Sequence, residues 1–174
     1  MKSFRMFHGK PRPISQFSYQ FITKEGNNQE GPGFYLTSDI ADAKKYGNNI
    51  YIVNASYRKL VPVQGTKNLK EALAMIKMAP DVSEELLNWG DNATQGLANY
   101  LKGLASYTKP NNPQDMFLQI WTDFYRDSRL TAYLKNMVKI GYDGMLIKTP
   151  YGHKNPFYHF IAFDPDKLKI VGMI

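Results

Sequence analysis

Side chains able to do chemistry fall in three separated stretches of this chain. Near its start, "FHGK" (residues 7–10) sets His8, Gly9 and Lys10 side by side. "GPGFYLTSDIADAKKYG" (31–47) carries Tyr35 and Tyr46, eleven residues apart on opposite sides of a strand-to-helix corner. Near the end, "FYHFIAFDPDKLK" carries His159. A neutral imidazole hydrogen-bonds a hydroxyl or takes up a proton. A tyrosine face holds a flat ring, and a glycine lets a ligand reach the backbone. Each feature also has a plainer reading: a histidine closing a strand, a turn feeding a buried strand, a tyrosine in the core of its helix.

Other chemistries are missing. There is no cysteine, hence no disulfide, thiolate zinc site or cysteine nucleophile. Neither GxGxxG nor GxxxxGK[ST] occurs, and there is no GxSxG elbow. His8, His153 and His159 lack metal-ligand spacing, and no metal is expected. Lys and Arg outnumber Asp and Glu by 22 to 15. The resulting +7 favours anionic partners, yet the positive residues are scattered as on an ordinary solvated surface. The start of the chain lacks an apolar signal region and no window is long and apolar enough to span a bilayer, so a cytoplasmic protein is expected.

The elements that must position these residues give an α+β pattern. Strands are predicted at "SFRMFHG", "QFSYQFI", "FYL" and "NIYIVNASY", followed by the extended "LVPVQ"; "KEGNNQEGPG" (24–33) reads as a loop. Ser38 is the expected N-cap of a short helix from Ile40 to Tyr46, stopped at Gly47. From about 66 to 140 the texture is helical. Asn68 and Asp81 are expected caps, Pro113 suits a first turn, and Met116, Phe117, Ile120, Trp121 and Phe124 form an apolar stripe that reads as core. Strands return in "YDGMLIK", "FYHFIAF" and "LKIVGMI". The 174 residues make a single domain with a helical insert.

Taken in order, His8-Gly9, "GPGFYL", Tyr46 and the closing "GYDGMLI…FYHFIAFDPDKLK" resemble the ADP-ribosyltransferase superfamily, in its poly(ADP-ribose) polymerase and diphtheria-toxin-like branch. The ending is similar to that of small bacterial and phage-encoded members. The resemblance covers roughly the first sixty and last thirty-five residues. It implies a split antiparallel sheet with a helical insertion, and NAD+ as a substrate. On this footing Tyr35 and Tyr46 sandwich the nicotinamide, Gly9 offers its backbone to the carboxamide, and His8 hydrogen-bonds the adenosine ribose. Lys10, standing where relatives carry Ser or Thr, faces the pyrophosphate. His159 takes the position of a glutamate that binds the nicotinamide ribose, and Ala43 that of a small hydroxyl residue. Glu30 is a candidate substitute acid.

The implied function is mono-ADP-ribosyl transfer from NAD+ to a macromolecular acceptor, a protein rather than nucleic acid, by a phage or bacterial effector acting in a bacterial cytoplasm. Two alternatives stand beside it. One is an inactive protein of the same fold that binds NAD+ or a host protein as an inhibitor. The other is a basic nucleic-acid-binding module, which twelve tyrosines and the positive charge permit.

Overall fold

A computed structural model describes residues 1–22, 31–108, 111–125, 129–149 and 156–174. Glu30, His153 and most of the 24–33 loop lie outside the described residues. Internal contacts divide the chain into two compact units, Met1–Val61 with Gly141–Ile174, and Pro62–Ile140.

The first unit holds one seven-stranded sheet, in the order β4-β5-β6-β2-β1-β3-β7. The strands are β1 (Lys2–Lys10), β2 (Phe34–Thr37), β3 (Asn49–Tyr57), β4 (Leu60–Val61), β5 (Gly144–Thr149), β6 (Phe157–Ala162) and β7 (Leu168–Met173). The class is α+β, as the order of elements in the sequence predicts. The sheet is mixed, because β4 runs parallel to β5 while the other pairs are antiparallel, which corrects the purely antiparallel expectation.

Pairing strength is uneven along the sheet. β1 pairs with β3 over its whole length, from Lys2↔Tyr57 to Lys10↔Asn49. Against β2 it makes the single register pair Phe7↔Thr37, after which the two strands part. Thr37 is in turn opposite His159, and His159 opposite Ile147, so Phe7, Thr37 and His159 form one row on one face of the sheet. A short helix, α1 (Ile40–Lys44), follows β2. Its N-cap is Asp39, whose carboxylate accepts from Ala41 N at 2.8 Å. Ser38 does something else: it exchanges bonds with Tyr158, its own N–H donating to Tyr158 O at 2.9 Å and its hydroxyl accepting from Tyr158 N at 2.8 Å.

The predicted strand at 16–22 does not form. Ser18 caps a 3-10 turn over Tyr19–Phe21, and Tyr19 Oη donates to Phe163 O at 2.9 Å. Its alternating aromatics pack on side chains: the Phe17 ring lies edge-on to His8, with centroids 5.0 Å apart, and to Phe34.

Asp143, from the "GYDG" segment, clamps the same unit. Its Oδ2 accepts from the N–H groups of Arg58 and Lys59, and its Oδ1 from Lys167 Nζ at 2.9 Å.

The second unit is helical: α2 (Leu69–Lys77), α3 (Val82–Leu86), α4 (Ala93–Tyr107), α5 (Pro113–Phe124) and α6 (Leu130–Lys139). Asn68 caps α2 and Pro113 opens α5, as their residue types predict. Asp81 makes no capping bond; it sits at φ 54° and pairs with Arg129 at 2.9 Å. Of the predicted stripe, Met116, Phe117, Ile120 and Phe124 are fully buried and Trp121 is partly exposed. Tyr125 and Tyr133 join it, satisfying their hydroxyls on Met75 O and Phe117 O.

Candidate functional site

A cavity of about 470 Å³ opens where β2 leaves β1. His8, Gly9, Lys10, Tyr35, Tyr46 and His159, the six site residues named from the sequence, all line it. Ala43 lines it too. Three strands, a short helix and the turn after it contribute them, which is why they are so dispersed along the chain.

His8 is pinned by one edge. Its Nδ1 lies 2.7 Å from Tyr35 O. A carbonyl only accepts, so Nδ1 carries the proton and the lone pair sits on Nε2. Nε2 is buried with no hydrogen-bond partner. Burial pushes the His8 pKa down to about 4, partly offset by the bond to Tyr35 O and reinforced by the charge of Lys10. The ring is therefore neutral at physiological pH, and its unpartnered acceptor is buried in a residue that lines the cavity. Tyr35 is held at its other end as well, its hydroxyl donating to Gly31 O.

Gly9 is shaped by the helix behind it. A Cβ there would stand 1.9 Å from Ala43 O and 3.3 Å from Tyr46 Cβ, so only glycine lets the end of α1 approach β1. Its backbone faces the other way. Gly9 pairs with Ile50, and Ile50 O accepts from Ile174 N at 2.9 Å on the β7 side. Because antiparallel ladders alternate, the N–H and C=O of Gly9 then point away from β3, toward the gap left by β2. Tyr46 stays 53% exposed, which makes it a rim residue rather than a core one.

His159 is not alone at its position. Its Nε2 lies 2.8 Å from Asp42 Oδ2, and the other oxygen of Asp42 accepts from Lys45 Nζ at 3.0 Å. Asp42 is 3% exposed and also lines the cavity. Burial raises the pKa of its carboxyl, but the bonds from His159 and Lys45 outweigh it and hold the group below the usual carboxylate range. Asp42 is thus a buried anion beside an imidazole. The sequence points to no such role, because an acid in the first turn of a helix is ordinary and its partner is 117 residues away.

Among the described residues no three His, Cys, Asp or Glu side chains gather as a metal site, and no helix is long and apolar enough to cross a membrane. No protein-family profile matches the chain, and no curated protein matches it. Among solved structures, an anti-CRISPR protein is similar at a TM-score of 0.46 and 12% identity, covering 99% of this chain and 96% of that one.

Proposed function

We propose that this protein is a mono-ADP-ribosyltransferase on an ADP-ribosyltransferase-like core, cleaving NAD+ and passing ADP-ribose to a protein acceptor without a metal. The observation that supports it is convergence. Residues from β1, β2, β6 and the turn after α1, picked out by motif order alone, line one cleft where the sheet splits.

The cleft suits the dinucleotide in kind. His8 Nε2 is a buried acceptor in want of a donor, which a ribose hydroxyl supplies. The backbone N–H and C=O of Gly9 match the acceptor and donor of a carboxamide, and the rings of Tyr35 and Tyr46 can take a flat heterocycle. Lys10 offers charge for a pyrophosphate. When bound, NAD+ brings a glycosidic bond whose rupture puts positive charge on a ribose. The residues' part is to hold the two halves of the molecule in one orientation, which removes much of the entropic barrier, and to place a carboxylate, Asp42, near that charge.

The test is direct. Purified protein is titrated with NAD+ and followed by NMR, then incubated with NAD+ and bacterial extract while nicotinamide release and ADP-ribose mass additions are recorded. The expected result is turnover that Tyr35→Ala abolishes. Release and labelling no greater than in Tyr35→Ala reject catalysis. NAD+ binding without turnover favours a second reading, an inhibitor that keeps the cleft but not the reaction. The observation behind that reading is His159 standing in the place of the glutamate, and His159→Glu should then create activity.

A further inference from the structure

We infer that the rim of the cleft is a docking surface for an acidic segment of a protein partner. The surface rests on the transferase reading above only in that this partner is then the acceptor.

Charge is spread unevenly over the chain. The sequence of the first unit holds 13 Lys and Arg against 7 Asp and Glu, and that of the second 9 against 8, so nearly all of the +7 belongs to the unit with the cleft. Folding then gathers four of these cations. Lys10 ends β1 and Arg12 follows it, while Lys44 ends α1 and Lys45 caps it. The two stretches touch. Asn49 Nδ2 donates to Lys10 O and to Pro11 O, both at 3.1 Å. A Cβ on Gly47 would stand 2.1 Å from the Lys10 carbonyl carbon and 2.3 Å from Pro11 N, so the turn after α1 lies directly on the end of β1. Lys10 and Tyr46, one from each stretch, line the cavity, which places the basic patch at its edge.

The charge of this patch is not neutralised by its own surroundings. Arg12, Lys44 and Lys45 are exposed and Lys10 is half-buried. Lys45 holds Asp42 at 3.0 Å, yet 58% of its side chain remains exposed. Among the described residues no carboxylate pairs with Lys10, Arg12 or Lys44. Asp42 is the one acid among the described residues lining the cavity, and it is buried. Residues 10–22 and 43–57 contain no Asp or Glu at all. A patch of one sign beside a cleft raises the local concentration of oppositely charged partners and orients their approach. The aromatic content of the rim favours a protein over a nucleic-acid strand. A strand needs successive stacking platforms. With Tyr46 given to the nicotinamide, Phe21, 57% exposed, is the one remaining exposed aromatic among the described residues lining the cavity. A single apolar contact beside four cations fits a peptide with clustered carboxylates.

The test is an NMR titration of the full chain with a Glu-rich peptide and, separately, with an oligothymidylate of equal charge. The peptide should shift the amides of residues 10–12 and 44–47, and its affinity should fall steeply between about 0.02 M and about 0.3 M salt. Arg12→Glu with Lys44→Glu should weaken peptide binding about tenfold or more, and Arg12→Gln with Lys44→Gln by less. Lys70→Glu with Lys102→Glu, an equal change of net charge on exposed residues of the second unit, should leave the affinity unchanged. The docking surface is overturned if the peptide does not bind at low salt, if the two charge reversals weaken it equally, or if the oligothymidylate binds more tightly than the peptide. In the transfer assay, the Arg12 and Lys44 reversal should lower kcat/KM for the acceptor while nicotinamide release to water stays near that of the unaltered protein. Rim shifts on peptide binding with no nicotinamide release from the unaltered protein would support the surface and reject the transferase reading, so the two failures are distinct.

Discussion

Acidification should weaken this fold through His8 before it reaches the carboxylates. Unfolded, His8 binds a proton below pH 6.5; folded, it resists protonation until about pH 4. Its pKa is depressed by folding, so the associated stability is present above pH 6.5 and is lost as pH falls toward 4. At about 1.4 kcal/mol per pH unit, that interval represents about 3 kcal/mol. The perturbation that isolates it is His8→Asn, which keeps an N–H for Tyr35 O but cannot titrate. Urea unfolding of both proteins from pH 7 to 4 gives two curves. At neutral pH the variant should be less stable, having lost the ring that packs on Phe17. The gap should then close steadily between pH 6.5 and 4, by an amount of the order of 3 kcal/mol. Asp42 and Asp143, whose pKa values are held below 3.8, lose their contributions mainly below that window and do so in both proteins. A gap that stays constant from pH 7 to 4 would refute the buried, neutral imidazole and the acceptor at Nε2 with it.

Two further substitutions probe the scaffold. Gly9→Ala drives a methyl into the Ala43 carbonyl, which is backbone and cannot swing aside. A loss of about 1–3 kcal/mol is expected, against a change within about 0.5 kcal/mol for Gly172→Ala, whose new methyl would make ordinary contact with the Ile52 side chain at 3.5–4.0 Å; equal urea midpoints for the two would defeat the close-approach account. Asp143→Asn leaves either the Arg58 and Lys59 amides or Lys167 facing an NH₂, and should cost about 1–3 kcal/mol at pH 7. Since the pKa of Asp143 is lowered by folding, its contribution is present above pH 3.8 and fades as pH falls through the lower folded value. Thermal midpoints of the two proteins should therefore converge in strong acid, and a difference that persists there would point to packing instead.

Much of the scaffold was legible because local patterns and tertiary demands agree. Runs of apolar, β-branched and aromatic residues mark β3 and β6, while Asn68 and Pro113 mark helix starts that form as their chemistry suggests. The reading failed where two local choices were equally good and distant partners decided. Ser38 and Asp39 are both competent caps; the bonds of Ser38 to Tyr158, 120 residues on, leave the cap to Asp39. Residues 16–22 alternate like a strand, yet β1 is flanked by β3 and β2, and their apolar side chains wall the cleft through Phe17, Phe21 and Ile22. Asp42 was invisible for the same reason, its role being set by a contact that no local pattern encodes.

The motifs themselves divide once their polar atoms are accounted for. In "GYDG", both carboxylate oxygens of Asp143 are taken by groups of its own unit, and a Cβ at Gly144 would strike Ile161 O at 2.5 Å. Those residues are explained by the fold alone. His8 is not. Folding satisfies its Nδ1 and leaves Nε2 the one buried side-chain nitrogen or oxygen without a partner among the described residues. An unmet buried acceptor costs about 1–3 kcal/mol. A phenylalanine there would pack against Phe17 and avoid that cost, at the loss of the bond to Tyr35 O. A chain that keeps imidazole where the sheet splits carries a cost that the contacts of the folded protein do not recover, and under the proposed function a ribose hydroxyl would offset it.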